Sequence, residues 1–173
     1  KEIMTGNWQE SREDGESQLG IELRGGVEPA RTYIVQALEA GKQVVTANKD
    51  VLAEHGQEIL SLAENSGCDI QFEAAVAGAI PIIRPLKQSL AGSMLTEIMG
   101  IVNGTTNYIL TKMSEEGMDY KEALAKATEL GSAEADPTAD VDGYDAGRKI
   151  PIMSSLAFTP KVPLSDVYME GLT

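Results

Sequence analysis

Cysteine and histidine are almost missing: 173 residues carry one of each, Cys68 and His55. One cysteine closes no internal disulfide and builds no cysteine-based zinc site. One histidine removes histidine-rich metal centres and serine triads. A reducing cytoplasm is the compartment that fits. Cations are also scarce, with 14 Lys and Arg against 27 Asp and Glu and a net charge of −13. That balance argues against nucleic acid as a partner, which needs a basic footprint, and against an anionic membrane surface. No apolar run nears the roughly 20 residues that cross a bilayer. The opening KEIMTGNWQESREDGESQLG lacks the apolar core of a signal peptide and an initiator methionine, and reads as a chain entered partway through. Hydrophobic residues make up 42% of the chain, enough for a core in one domain or a domain and a half.

What is present alternates in type. Residues 1–20 have no clear period and are expected to be loop or tail, and Ile21 to Leu23 is a short strand candidate. Pro29 suits a first helical turn, and Ile34, Ala37 and Leu38 share one face of a helix from Glu28 to Ala40 that Gly41 closes. QVVT at 43–46 reads as a buried strand, Asp50 to Glu64 as a helix, and Asp69 to Phe72 as a third strand. Strands alternating with helices of this length predict βαβ units and a parallel sheet. Beyond it, Ile80 to Leu90 is expected to be helical and Leu95 to Val102 β-prone. Helices are then expected from NYILTKMSEEG and from Tyr120 to Leu130, with Gly131 as the capping glycine, and a last strand at Val167 to Met169.

Several short stretches carry chemistry and each also has an ordinary reading. Gly25-Gly26, between a strand and a helix, is a place for close backbone approach to a ligand or a simple tight turn. Thr46-Ala-Asn-Lys49 ends a strand where open α/β sheets bind ligands, so Lys49 faces a crevice or is a surface lysine. The small residues from Glu73 to Pro81 allow carbonyls to approach a hard cation, or a strand to pack tightly. Asn103-Gly-Thr-Thr106 is an anion-binding helix start or a good cap. Leu130 to Lys149, LGSAEADPTADVDGYDAGRK, has five carboxylates before one basic pair. It is a solvated acidic loop, or a site that grips an ammonium group and moves a proton. Asp145 and Lys149 are four apart and share a helix face if a helix is present there, at the edge of a stripe continued by Ile152 and Leu156. Pro151 leaves two outcomes open: a kinked helix, or one that begins only near Ile150 and loses the pair.

Taken in order, GKQVVTANK, FEAAVAGAIP, GIVNGTTNYIL, LGSAEADPTADVDGYDAGRK and YMEGLT closely resemble homoserine dehydrogenase, from about Glu22 to Thr173. The resemblance implies an α/β fold: the end of a Rossmann-like parallel sheet over residues 1–65, then part of an α+β catalytic and dimerisation domain over 66–173. It implies reversible reduction of L-aspartate 4-semialdehyde to L-homoserine with NADPH or NADH, a step in threonine, methionine and isoleucine biosynthesis. Lys149 matches the family's catalytic lysine, and Glu134, Asp140 and Asp145 match acids of the substrate site. Gly25, Gly26, Lys49 and Gly131 match cofactor-contacting positions. Glu73, Val76, Gly78 and Ile80 match a sodium site built largely from main-chain carbonyls. Expected partners are a small amino-acid substrate and a second copy in a homodimer. The family's G-x-G-x-x-G unit is absent, as is most of what normally follows YMEGLT. The chain is therefore expected to be a piece of a longer enzyme, in some relatives fused to aspartate kinase. The alternative is a non-catalytic association module acting through Met94 to Val102.

Overall fold

Three short strands build a parallel sheet in the computed structural model, which describes residues 7–78, 80–158 and 162–172. The chain divides into two compact units, Lys1–Ala91 and Gly92–Thr173.

In the first unit the sheet runs β1 (Leu19–Glu22), β2 (Gln43–Thr46), β3 (Ile70–Gln71). Leu19 pairs with Gln43 and Glu22 with Thr46, while Val44 pairs with Ile70. Helices α2 (Ala30–Glu39) and α3 (Lys49–Ser66) connect these strands. The α2 face predicted from its spacing is the buried one: Ala30, Ile34, Ala37 and Leu38 are each at most 1% exposed. They join Val44, Val51, Ile59, Ile70 and Phe72 in the core, where each large aliphatic or aromatic side chain is worth ~1.5–3 kcal/mol of burial. Gly67, left-handed at φ 64°, ends α3.

The expectation of a loop over residues 1–20 is corrected in part. A six-residue helix, α1 (Trp8–Glu13), lies there, and β1 begins at Leu19 rather than Ile21. A helix that short shows no period, and tertiary contacts hold it. The Trp8 ring lies 4.7 Å from the Tyr33 ring and its indole N–H donates to Gln36 at 2.8 Å. The buried Lys42 ammonium donates to the carbonyls of Asp14 and Ser17, fixing the chain between α1 and β1. Between residues 80 and 90 the expected helix forms in shortened form, helical at Ile83 and Arg84 and π-helical over Pro85–Ser89, with Pro81 and Pro85 each lacking an amide donor.

The second unit is helical in its described residues. Helices α4 (Gly104–Glu116) and α5 (Tyr120–Glu129) pack around Ile109, Ala123 and Ala127, joined by Ala133 and Val141. Asp119 caps α5 through the Glu122 amide at 2.9 Å. Two further helices follow, the short α6 (Thr138–Val141) and α7 (Tyr144–Ala157). The expected strands at 95–102 and 167–169 are not formed. Both segments are without secondary structure and pair with no strand among the described residues; β propensity alone does not make a ladder. Met94, Met99 and Ile101 stand 93%, 85% and 77% exposed.

Candidate active site

The second unit's cluster starts with the residue that begins α4. Asn103 is extended, with φ −133° and ψ 119°, and its side-chain oxygen accepts from the Thr106 amide at 2.8 Å and the Thr106 hydroxyl at 2.9 Å. This is an ordinary N-cap. It also fixes which way the amide points, because the NH2 must then face away from the helix. That NH2 donates to Asp140 Oδ1 at 2.7 Å and to Asp145 Oδ2 at 2.9 Å. One amide therefore joins the carboxylates of α6 and α7 at the head of α4.

Of the two outcomes left open for α7, the helix forms and the pair is kept. Pro151 lies inside it, and the chain is helical from Tyr144 onward, with the Gly147 amide bonded to the Gly143 carbonyl at 2.8 Å. Lys149 Nζ donates to Asp145 Oδ2 at 2.5 Å and to the Val102 carbonyl at 2.5 Å. The two side chains are only 13% and 11% exposed. The ammonium is thus on a largely buried side chain and held from both sides: a carboxylate one turn earlier on its own helix and the carbonyl just before the α4 cap. Such an arrangement can present a proton in a fixed direction.

The structure brings Asp140, Asp145 and Lys149 together. It does not bring Glu134 into that hydrogen-bonded set; Glu134 is exposed in the turn between α5 and α6. The turn itself is anchored, since Thr105 Oγ1 donates to the Ser132 carbonyl at 2.6 Å, and Gly131 there has φ 73°. Asp136 starts α6 by accepting from the Thr138 hydroxyl and amide, which hold its carboxyl below the usual range. Asn103 is the residue missing from the candidates for the site, its stretch being read as an anion-binding helix start or a cap. Its signal was available in the N-G-T-T start, but the two acids it reaches lie 37 and 42 positions away.

The remaining candidates belong to the first unit. Gly25 and Gly26 follow β1, with Gly26 at φ 79° and no heavy atom within 4 Å of where a Cβ would stand on either. Asn48 ties this turn to the end of β2: its NH2 donates to the carbonyls of Arg24 at 2.9 Å and Gly26 at 2.8 Å, and its oxygen caps α3 at Val51. Lys49 is the first residue of α3 and half-buried. An open turn without side chains at the carboxyl end of a parallel strand has the form a nucleotide needs.

Glu73 departs from a simple ligand role. Its carboxylate accepts from the amides of Ile82 (2.6 Å), Ile83 (2.8 Å) and Arg84 (2.8 Å). Burial pushes this carboxyl up, and the bonds from Arg84, Ile82 and Ile83 outweigh it, so the net shift is downward. Ala77 and Gly78 turn the chain in left-handed conformations, and Ile80 is 69% exposed. Among the described residues no group of three or more His, Cys, Asp or Glu side chains could hold a metal. A cation at 73–80 would rest on main-chain oxygens.

Comparison with known proteins covers both units. A family model described as homoserine dehydrogenase, NAD binding domain matches residues 2–73, and one described as homoserine dehydrogenase matches residues 81–173. The homoserine dehydrogenase of Bacillus subtilis is 50% identical over 173 residues, covering 100% of this chain and 40% of the relative. That of Mycobacterium tuberculosis is 55% identical over 174 residues, 99% of this chain and 39% of the relative. The chain thus spans about 40% of the length of these curated relatives. Among solved structures, a homoserine dehydrogenase from Thiobacillus denitrificans superposes with a TM-score of 0.92 at 43% identity, over 97% of this chain and 39% of that one. A hyperthermophilic archaeal homoserine dehydrogenase in complex with NADPH superposes with a TM-score of 0.83 at 34% identity, over 92% and 50%. With each unit matched by the same family at this identity, the chain belongs to the homoserine dehydrogenase family.

Proposed function

We propose that this chain takes part in the reversible, NAD(P)H-dependent reduction of L-aspartate 4-semialdehyde to L-homoserine, with Lys149 as the general acid. The observation that carries the reading is the Lys149 ammonium, on a largely buried side chain, held by Asp145 and the Val102 carbonyl. In the reduction, Lys149 gives a proton to the aldehyde oxygen as the carbonyl carbon becomes an alcohol carbon; in the reverse direction its neutral amine takes the proton back. Asp145 sets the direction of the ammonium. Asp140 and the exposed Glu134 provide carboxylates for the substrate's own ammonium, and charge-assisted hydrogen bonds of that kind are the strong ones. Bound NADPH or NADH supplies the hydride. Gly25, Gly26 and Lys49 in the first unit, and Gly131 in the second, are proposed to contact that cofactor. The open Gly25-Gly26 turn and its Asn48 brace support this for the first unit. Main-chain carbonyls of Glu73, Val76, Gly78 and Ile80 are proposed to hold a sodium ion, the Glu73 carboxylate being already bonded to three amides.

The test is to incubate the purified chain with L-homoserine and NADP and follow absorbance of the reduced cofactor. Lys149→Ala is expected to lower turnover by ~10²–10⁴-fold, the usual worth of positioned acid–base catalysis. Near-normal turnover in that variant removes Lys149 from the mechanism. A second reading draws on the exposure of Met94, Met99 and Ile101: this stretch is a pairing segment for another subunit, in a homodimer or as a non-catalytic association module. Absence of turnover, with no cofactor binding by calorimetry, favours the module.

A further inference from the structure

We infer that Asn103 is a positioning residue for Lys149, acting through Asp145, and that its capping of α4 is the lesser part of its role. The assignment of a catalytic purpose to that position rests on the reading of Lys149 given above; the geometry stands without it.

Asn103 lies between two sets of partners. On one side its Oδ1 is committed to the Thr106 amide and hydroxyl, so the orientation of the amide group follows from hydrogen-bond logic. On the other, its two N–H bonds end on Asp140 and Asp145. Asp145 Oδ2 accepts from Asn103 and from Lys149 at once, and Lys149 also donates to the carbonyl of Val102, the residue before Asn103. Two consecutive residues therefore hold both members of the ion pair, one by its backbone and one by its side chain. Asn103 is 9% exposed and Asp145 7%, so water is a poor substitute donor. A cap alone would be met equally by Asp or Ser. Neither of them could also bridge the two acids. Asp would set a carboxylate against two others, and the Ser hydroxyl is too short to reach both.

The experiment uses N103D and N103S in the 173-residue chain, with side-chain nitrogen NMR of the lysine ammonium groups. In the parent, one ammonium signal is expected to be protected from solvent exchange and to vanish in K149R, which assigns it to Lys149. In both Asn103 variants exchange of that ammonium should quicken at least tenfold, while the Thr106 amide keeps its protection because the cap survives. Unchanged ammonium exchange in N103D and N103S overturns the inference. So does a parent chain in which K149R removes no protected signal. Loss of Thr106 protection in step with the ammonium would make Asn103 a cap only, and overturns it equally. Turnover of homoserine is the separate arm: its absence in a parent with the expected ammonium signal counts against the proposed function and leaves the positioning role in place. Where turnover is present, N103S should lower kcat at least tenfold, with any rise in KM for homoserine smaller than that and traced to Asp140, which Asn103 also holds. A loss in KM alone would refute positioning.

Discussion

Removing either member of the Lys149–Asp145 pair should destabilise the chain nearly as much as removing both. Each side chain is close to nine-tenths buried, and stranding one charge of a buried pair ordinarily costs ~3–5 kcal/mol. The lower end applies here, because each group keeps one strong partner. Asp145 retains the Asn103 amide at 2.9 Å, and Lys149 retains the Val102 carbonyl at 2.5 Å. Lys149→Met and Asp145→Asn are therefore each expected to cost about 3 kcal/mol. The double variant leaves no charge without its counterion and should cost about 3–4 kcal/mol rather than the sum of about 6, a coupling of about 2–3 kcal/mol. Urea titrations of the four proteins, read from hydrogen exchange of α7 amides, measure the cycle. If the double variant falls within about 0.5 kcal/mol of the summed singles, the two groups do not act as a pair in solution.

Three further outcomes follow from single side chains. Glu73 has its carboxyl pulled below the ordinary 4.5, and a depressed carboxyl contributes stability that is present above that value and lost as pH falls through the folded one. Glu73→Gln should flatten the acid loss of stability below pH 4.5 in urea midpoints taken pH by pH; profiles parallel to the parent's would exclude the three amides as the cause. Asn48→Ala removes a buried cap and two half-buried bonds to the Arg24 and Gly26 carbonyls. About 2 kcal/mol should be lost, read from Trp8 fluorescence on denaturation, and a change under about 0.5 kcal/mol would be that of an unconstrained surface site. Gly147→Ala should destabilise despite the better helix propensity of alanine, since the added methyl falls on the Met169 side chain. Met169→Ala in the same chain should turn that loss into a gain, and a stabilising Gly147→Ala on its own would remove the argument.

The parallel sheet was legible because its signals are local. QVVT and the Ile34, Ala37, Leu38 spacing report burial within a few residues: the three helix residues are buried, and in QVVT Val44 and Thr46 are buried while Gln43 is exposed and Val45 half-buried. Helix α1 was not legible, since six residues carry no period and Trp8 finds its place only against Tyr33 and Gln36 of another helix. The strand expected at 95–102 failed for the opposite reason: apolar β-prone residues were there without a ladder to join. In the candidate site the Asp145–Lys149 spacing was readable at four residues. What it could not supply was the cross-chain part, in which Val102 and Asn103 reach acids and an ammonium 37 to 47 positions away. Pro151 likewise left α7 undecided, because a sequence carries the cost of a proline inside a helix and not the burial that offsets it.

That burial explains why α7 stays whole. A proline inside a helix loses one hydrogen bond and crowds the carbonyl four residues earlier, at ~3 kcal/mol or more, and here that carbonyl belongs to Gly147. Yet Gly147, Pro151, Ile152 and Met153 are all buried. The bare Gly147 lets Met169 lie where a side chain would stand, and Gly171 passes so close to the backbone of Val141 and Asp142 that a Cβ there would come within 2.8 Å of the Val141 carbonyl. The Leu172 amide then donates to that same carbonyl at 2.7 Å. The closing YMEGL segment is thus laid onto α6 and α7 through three places that carry no side chain, Gly143 against Glu170, Gly147 against Met169 and Gly171 against Val141. The direction of Lys149 is set by Asp145 on its own helix together with the Val102 carbonyl and, through Asp145, Asn103 from outside it. The intrahelical ladder is weakest two residues beyond it, at Pro151, while the Val102 carbonyl and Asn103, through Asp145, hold the lysine, and the Met169 side chain lies against Gly147 of the helix. A helix with a perfect ladder and no such contacts would leave the same lysine only its Asp145 partner one turn earlier, without the Val102 carbonyl and Asn103 that narrow the direction of its proton.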